Sequence, residues 1–166
     1  VSTFPILLMS VLLRVPLFIQ EQNAVLGRVN RSFQRFSSKV FCHFSNTSFL
    51  DPKKSLNTGN PIRNKVLEKS NSQYLDPGPW PITVLVLGGS QGAGLLSEVV
   101  PSSIAALSKK FQERLTIFHQ ARKDNIERVL TIYGNMGIRA YVQPFFEDVE
   151  RLISEAQIII CRAGSS

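Results

Sequence analysis

Cysteine is nearly missing from this chain. The 166 residues contain two, Cys42 and Cys161, far apart and in no metal-ligand spacing. That argues against a disulfide framework or a zinc site and makes reduced thiols the default. Also lacking is an uncharged apolar run of the ~18 residues that a membrane span needs. The opening VSTFPILLMSVLLRVPLFIQ is interrupted by Arg14 and Pro16, and no small-residue cleavage site follows it. There is no internal repeat and no low-complexity tract. Acidic residues are the minority, 12 against 19 Lys and Arg, for a formal charge of +7. Such a balance favours polyanionic company: nucleic acid, phosphorylated ligands or an anionic membrane surface. With 43% hydrophobic and 19% charged residues the chain reads as globular. Its length suits one ordinary domain or two halves of larger ones. A first residue Val1 and a closing CRAGSS read as two cut ends.

The Arg14/Pro16 break separates a buried helix, roughly Pro5 to Leu13, from a short buried strand, Pro16 to Ile19. Val25, Val29, Phe33 and Phe36 recur at helical spacing and predict a helix from about Ala24 to Phe36. KVFCHF reads as a strand and NTGNPIR as a loop leading into a short helix or turn. Ser70 to Pro81 is dense in Pro, Gly, Ser and Asn, so residues 70–81 are expected to link a first domain, 1–69, to a second, 82–166. In the second the pattern is regular. Strands Thr83 to Leu87, Leu115 to His119, Arg139 to Gln143 and Ile158 to Cys161 alternate with helices Gly94 to Ser108, Asp124 to Met136 and a short one around Asp148 to Ser154. Alternation with short connections implies a parallel sheet covered by helices, an α/β fold. Ligands in such sheets bind outside the carboxyl ends of the strands.

The candidate binding loops are therefore those that follow the strands: Gly88 to Gly92, Gln120 to Lys123, Pro144 to Phe146 and Arg162 to Ser166. In VLVLGGSQGAG, glycines let the backbone approach an anion at a helix start, and Ser90 adds a hydroxyl. The loop is neither a Walker motif nor a good GxGxxG, so phosphate cradle and plain tight turn stay level on this motif alone. QEQN, residues 20 to 23, follows an apolar strand. Its Asn23 could cap the next helix or hydrogen-bond a ligand's uracil, sugar or phosphate oxygens. GNPIR ends in Arg63, whose guanidinium can pair with a diphosphate. His43 and His119 stand at strand ends without Ser or Asp partners and read as structural. Glu147 and Asp148 read as capping the helix after them. No complete catalytic constellation is present.

In order, FIQEQNAVLGRVNR, GNPIR, VLVLGGSQGA, PFFEDV and CRAG resemble the bacterial MurG family of peptidoglycan glycosyltransferases over nearly the whole chain. That resemblance implies a glycosyltransferase B fold of two Rossmann-like domains, both incomplete here. It implies a hexosyltransferase that moves N-acetylglucosamine, with inversion, from UDP-N-acetylglucosamine to undecaprenyl-linked lipid I, making lipid II. On these positions it implies that Asn23, Arg63, Ser90, Phe146, Ser165 and Ser166 bind the nucleotide sugar. Gly89, Gln91 and Gly92 would support the diphosphate loop. No metal or other cofactor is implied and no nucleic acid. The implied location is peripheral, on the cytoplasmic side of the bacterial inner membrane, where Arg28, Arg31, Arg35 and Lys39 could meet anionic lipid or simply form a solvated face.

The sequence departs from that pattern in two ways. Gln20 stands where the family usually has His, and an amide can still hydrogen-bond. The family's general-base loop would precede Val1 and its sugar-recognising loop would follow Ser166, so the chain by itself is expected to be inactive. Alternatives are a transferase of the same architecture with another nucleotide sugar, and a non-catalytic nucleotide-binding remnant. A nucleic-acid module is disfavoured because the basic residues are scattered and no aromatic stacking surface lies among them.

Overall fold

The computed structural model describes residues 3–78 and 81–162, without the side chains of 90–93. The chain divides into two compact units, one running to Ile62 and the other beginning at Arg63.

The first unit holds α1 (Phe4–Leu12), β1 (Phe18–Glu21), α2 (Arg28–Phe33), β2 (Lys39–Cys42) and β3 (Ser55–Asn57). Its strands form a parallel sheet in the order β1-β2-β3. Residues on alternate sides of a strand face opposite ways, and β1 is buried at Ile19 and Glu21 but open at Phe18 and Gln20. Ile19 and Val40 pack with Leu7, Leu17, Leu26 and Phe33. On the other face the Phe18 and Phe41 rings stack at 6.1 Å.

Three expectations for this unit need correction. The first helix is not buried: Leu7 is its one buried residue, and Ile6 and Leu12 are exposed, because only one side of the helix meets the core. The first strand lies two residues further on than the Arg14/Pro16 break suggests; Arg14 takes a left-handed φ of 54° and Val15 still donates back to the Ser10 carbonyl. The second helix starts at Arg28 rather than Ala24. Residues 21–27 are drawn instead onto the Glu21 carboxylate, so Asn23 caps nothing, and Gly27 occupies the N-cap position. Strand β3 had no apolar alternation to announce it.

The second unit holds α3 (Asn64–Leu67), β4 (Ile82–Leu87), α4 (Gly89–Ala105), α5 (Lys109–Gln112), β5 (Leu115–Gln120), α6 (Ile126–Asn135), β6 (Arg139–Gln143), α7 (Val149–Glu155) and β7 (Ile158–Cys161). Its four strands are all parallel, in the order β6-β5-β4-β7. Strand β4 alternates between two cores. Ile82, Val84 and Val86 join residues of α4, β5 and α6, including Val100, Ile117 and Val129. Leu85 points the other way, into a smaller cluster with Phe146, Leu152 and Ala156. Each side chain so buried contributes about 1.5–3 kcal/mol, and a sheet with both faces covered explains the near-continuous apolar run of β4.

The chain steps outward from β4 to β5 to β6, then crosses back so that β7 lies on the far side of β4. The order of the strands thus reverses at β4, between β5 and β7, and in parallel sheets the carboxyl end of such a switch point is where a binding crevice is expected. Helix α4 begins at Gly89, five residues earlier than the sequence pattern suggests, so the glycine stretch forms the first turn of the helix rather than a loop before it.

Candidate functional site

At the carboxyl end of β1, Glu21 is buried and carries four hydrogen bonds. Its Oε1 accepts from the Asn23 backbone N–H (3.0 Å) and from Asn23 Nδ2 (2.8 Å). Its Oε2 accepts from the Gly27 N–H (2.9 Å) and Asn30 Nδ2 (2.9 Å). Burial works to raise this carboxyl, but the hydrogen bonds, led by the Gly27 and Asn23 amides, outweigh it and hold it below the ordinary carboxylate value. Asn23 itself is exposed. Beside it, Gln20 Nε2 donates to the Gly59 carbonyl at 3.4 Å, joining the end of β1 to the loop after β3. Gly59 has a φ of 71°, a left-handed conformation that favours glycine.

In the second unit, Gly89 opens α4 just past the end of β4, with a φ of 62°. A Cβ there would meet no atom within 4 Å, so backbone conformation, not space, calls for glycine. The Gly89 N–H donates to Gln120 Oε1 (3.3 Å), and Gln120 Nε2 donates to the Pro144 carbonyl (3.2 Å). One amide at the end of β5 thus ties the turn after β4 to the loop after β6. Two residues beyond Pro144, Phe146 is buried, edge-on to Phe118 at 6.1 Å. Its ring belongs to the core.

Arg63 is exposed at the start of α3, where its carbonyl accepts the Val66 and Leu67 amides. Asp148 sits at the N-cap of α7 but makes no side-chain capping bond, contrary to the sequence reading. Its Oδ2 instead accepts from Arg151 Nε at 2.8 Å, an ion pair that holds the carboxyl below its ordinary value. His119 is structural, as expected: it is fully buried between Ser97 and Tyr133. A depression of about 330 Å³ around Arg14 and Pro16 lies at the opposite, amino end of β1 and includes none of the predicted ligand residues.

Of the predicted residues, Asn23 is found at the end of β1 in the first unit, while in the second Gly89 follows β4 and Phe146 follows β6, with β5 between those strands. Ser165 and Ser166, and the side chains of Ser90 and Gln91, lie outside the described residues, while the backbone of Gly92 belongs to α4. Glu21 and Gln120 were singled out only as members of the QEQN stretch and of the candidate loop Gln120 to Lys123, with no role of their own. The signal for Glu21 was the alternation of β1, which puts a carboxylate on the buried face and so demands donors. The signal for Gln120 was its position at a strand end beside the glycine turn.

Two parallel-sheet α/β units, the second switched at the strand that leads into a glycine-rich helix start, define a glycosyltransferase B-type protein. The chain belongs to glycosyltransferase family 28, whose C-terminal domain matches residues 83–166. It is 41% identical over 154 residues to a UDP-N-acetylglucosamine--N-acetylmuramyl-(pentapeptide) pyrophosphoryl-undecaprenol N-acetylglucosamine transferase of Granulibacter bethesdensis, covering 92% of this chain and 40% of that protein. A Bartonella tribocorum protein of the same name is 41% identical over 170 residues, covering 99% of this chain and 43% of the relative. The crystal structure of MurG from Acinetobacter baumannii superposes with a TM-score of 0.69 at 32% identity, over 98% of this chain and 44% of that one. The chain thus spans less than half the length of these relatives.

Proposed function

We propose that this chain is part of an enzyme that transfers N-acetylglucosamine, with inversion, from UDP-N-acetylglucosamine to lipid I, forming lipid II. The observation that carries this reading is the crevice at the end of β4, where the Gly89 turn, the Gln120 amide and the Pro144 carbonyl converge in one hydrogen-bonded set. A helix start with exposed amides stabilises an anionic diphosphate, and the names of the relatives supply the nucleotide sugar and the polyprenyl acceptor. In this reading Ser90 and Arg63 meet the diphosphate, the Phe146 backbone meets the uracil, and Asn23, Ser165 and Ser166 complete the donor contacts. Gly89, Gln91 and Gly92 keep the backbone close to the phosphates. We assign residues 1–69 to an acceptor-side domain and 82–166 to the donor-side domain, with 70–81 between them; α3 then belongs to the acceptor-side domain by sequence but packs with the second compact unit, which begins at Arg63.

The enzyme works peripherally at the cytoplasmic face of the inner membrane. Arg28, Arg31, Arg35 and Lys39 are all exposed, which supports contact with anionic headgroups. No helix among the described residues is long and apolar enough to cross a membrane.

The test is calorimetry with UDP-N-acetylglucosamine on this chain and on the same sequence extended at both ends to the length of its relatives. Binding and transfer by the extended protein are expected. If the extended protein ignores the nucleotide sugar, the donor assignment fails and a different nucleotide sugar takes its place.

A further inference from the structure

We infer that Gln120 is a positioning residue that locks the Gly89 turn to the loop of Pro144 and Phe146, so that it favours a ligand reaching both loops over one that touches the second alone. The inference rests on the donor reading above, in which the turn meets a diphosphate and the loop meets a uracil.

Gln120 is the last residue of β5, the strand that lies between β4 and β6. Its backbone is fixed from both sides. His119 pairs with Val86 of β4, and Gln120 itself pairs with Gln143 of β6. The ladder runs one residue further, because the Ala121 N–H donates to the Gln143 carbonyl at 3.0 Å. Its two neighbours, His119 and Ala121, are buried, and His119 is held by the Tyr133 hydroxyl at 2.9 Å. The half-buried Gln120 side chain therefore stands on a rigid root.

From that root Oε1 accepts the Gly89 N–H at 3.3 Å and Nε2 donates to the Pro144 carbonyl at 3.2 Å. The two partners are of opposite kind. Turning the amide over would set NH₂ against an N–H and oxygen against a carbonyl, so both bonds demand the same orientation. The Gly89 N–H opens α4 and has no carbonyl partner within the helix, so the bond from Gln120 holds a group that the helix itself leaves loose.

The two loops differ in what else secures them. The one after β6 has a second anchor, the Phe146 ring, which packs with Leu85, Leu152 and Ala156. The turn after β4 rests on a glycine at a φ of 62°, a residue with many other conformations open to it. Gln120 thus passes the rigidity of β5 to the turn. Without it, a ligand that needs the turn must order it on binding, and a ligand that touches only the anchored loop loses little.

The experiment compares uridine with UDP on the extended protein, by calorimetry for UDP and by competition against it for uridine. Gln120→Ala, checked for an unchanged melting transition, should weaken UDP roughly three- to tenfold and uridine by less than about twofold. Gln120→Glu keeps the shape but turns an oxygen toward the Pro144 carbonyl and brings a negative charge to the turn. UDP should then bind more weakly than to the alanine variant, and the excess should shrink as salt is added. If uridine and UDP weaken by the same factor, or if UDP binding is unchanged, Gln120 does not lock the turn and the inference is overturned. If the unmodified protein binds neither compound, the donor reading fails first and the inference falls with it. Should neither variant fold, hydrogen exchange of the Gly89 N–H in the unliganded, unmodified protein decides. Protection supports the lock, and exchange as fast as that of a free amide refutes it.

Discussion

His119 Nδ1 lies 2.9 Å from the Tyr133 hydroxyl, with both side chains buried in the larger core of the second unit. Ser97 Oγ approaches the other ring nitrogen at 3.5 Å. Burial lowers the His119 pKa from 6.5 to about 4 and pushes the tyrosine hydroxyl above its ordinary value. The folded chain therefore keeps a neutral imidazole over a range where the unfolded chain has already taken up a proton.

The sign of the resulting pH dependence follows. Above about pH 6.5 both states are neutral and the full stability is present. As pH falls toward 4 the unfolded state binds the proton first and stability is lost, by up to about 3 kcal/mol. Urea unfolding of the chain at a series of pH values checks this, with His119→Gln expected to flatten the decline.

Tyr133→Phe removes the hydroxyl and strands His119 Nδ1 in an apolar core. The expected cost is about 1–3 kcal/mol, that of a buried polar group left without its partner. A drop in the urea midpoint with unchanged slope would register it.

Lys54 closes the end of the helical stretch before β2. Its Nζ donates to the carbonyls of Gln34 (3.2 Å), Arg35 (2.5 Å) and Ser37 (3.0 Å), where the last carbonyls of a helix need partners from outside it. Lys54→Met keeps much of the stem and loses the cap, at an expected cost of about 1–2 kcal/mol. Thermal melting measures it, and Lys54→Arg should recover part of the loss.

Gln120→Ala cuts the bond between the Gly89 turn and the loop of Pro144 and Phe146 without touching the core. Folding should be nearly unchanged. Affinity of the extended protein for UDP-N-acetylglucosamine should fall up to about tenfold, the cost of ordering two loops no longer held in advance. Gly89→Ala tests the same turn from the other side. Forcing a left-handed φ of 62° onto a residue with a Cβ should cost about 1 kcal/mol in stability.

The second unit was readable because its signals agree with each other. The spans Arg139–Gln143 and Ile158–Cys161 follow from apolar runs between turn residues, and the structure has the same bounds. The start of α4 was misread because glycine and serine suggest a turn, yet the crevice geometry lets Gly89 open the helix directly. In the first unit the helical spacing of Val25 and Val29 was real but over-extended. A period reports which residues face the core, and it is blind to a carboxylate that pulls the intervening backbone out of the helix. Asn23 was legible as a polar residue at a strand end. Its orientation was not, since that depends on Glu21 and Asn30, nine residues apart in sequence and joined only in the fold.

The return of the chain from β6 to the far side of β4 also sets an order of events. Val84 pairs with Ile117 across a modest stretch of chain, but with Ile158 only after α6, β6 and α7 have intervened. The longer closure costs more entropy and is made later than the nearer pairing. On a growing chain the crevice has one wall while the strands up to β6 are emerging, and it gains the second when Ile158–Cys161 docks. The surface that would receive a nucleotide is thus among the last parts of the unit to exist, and ligand binding can serve as a readout of completed folding.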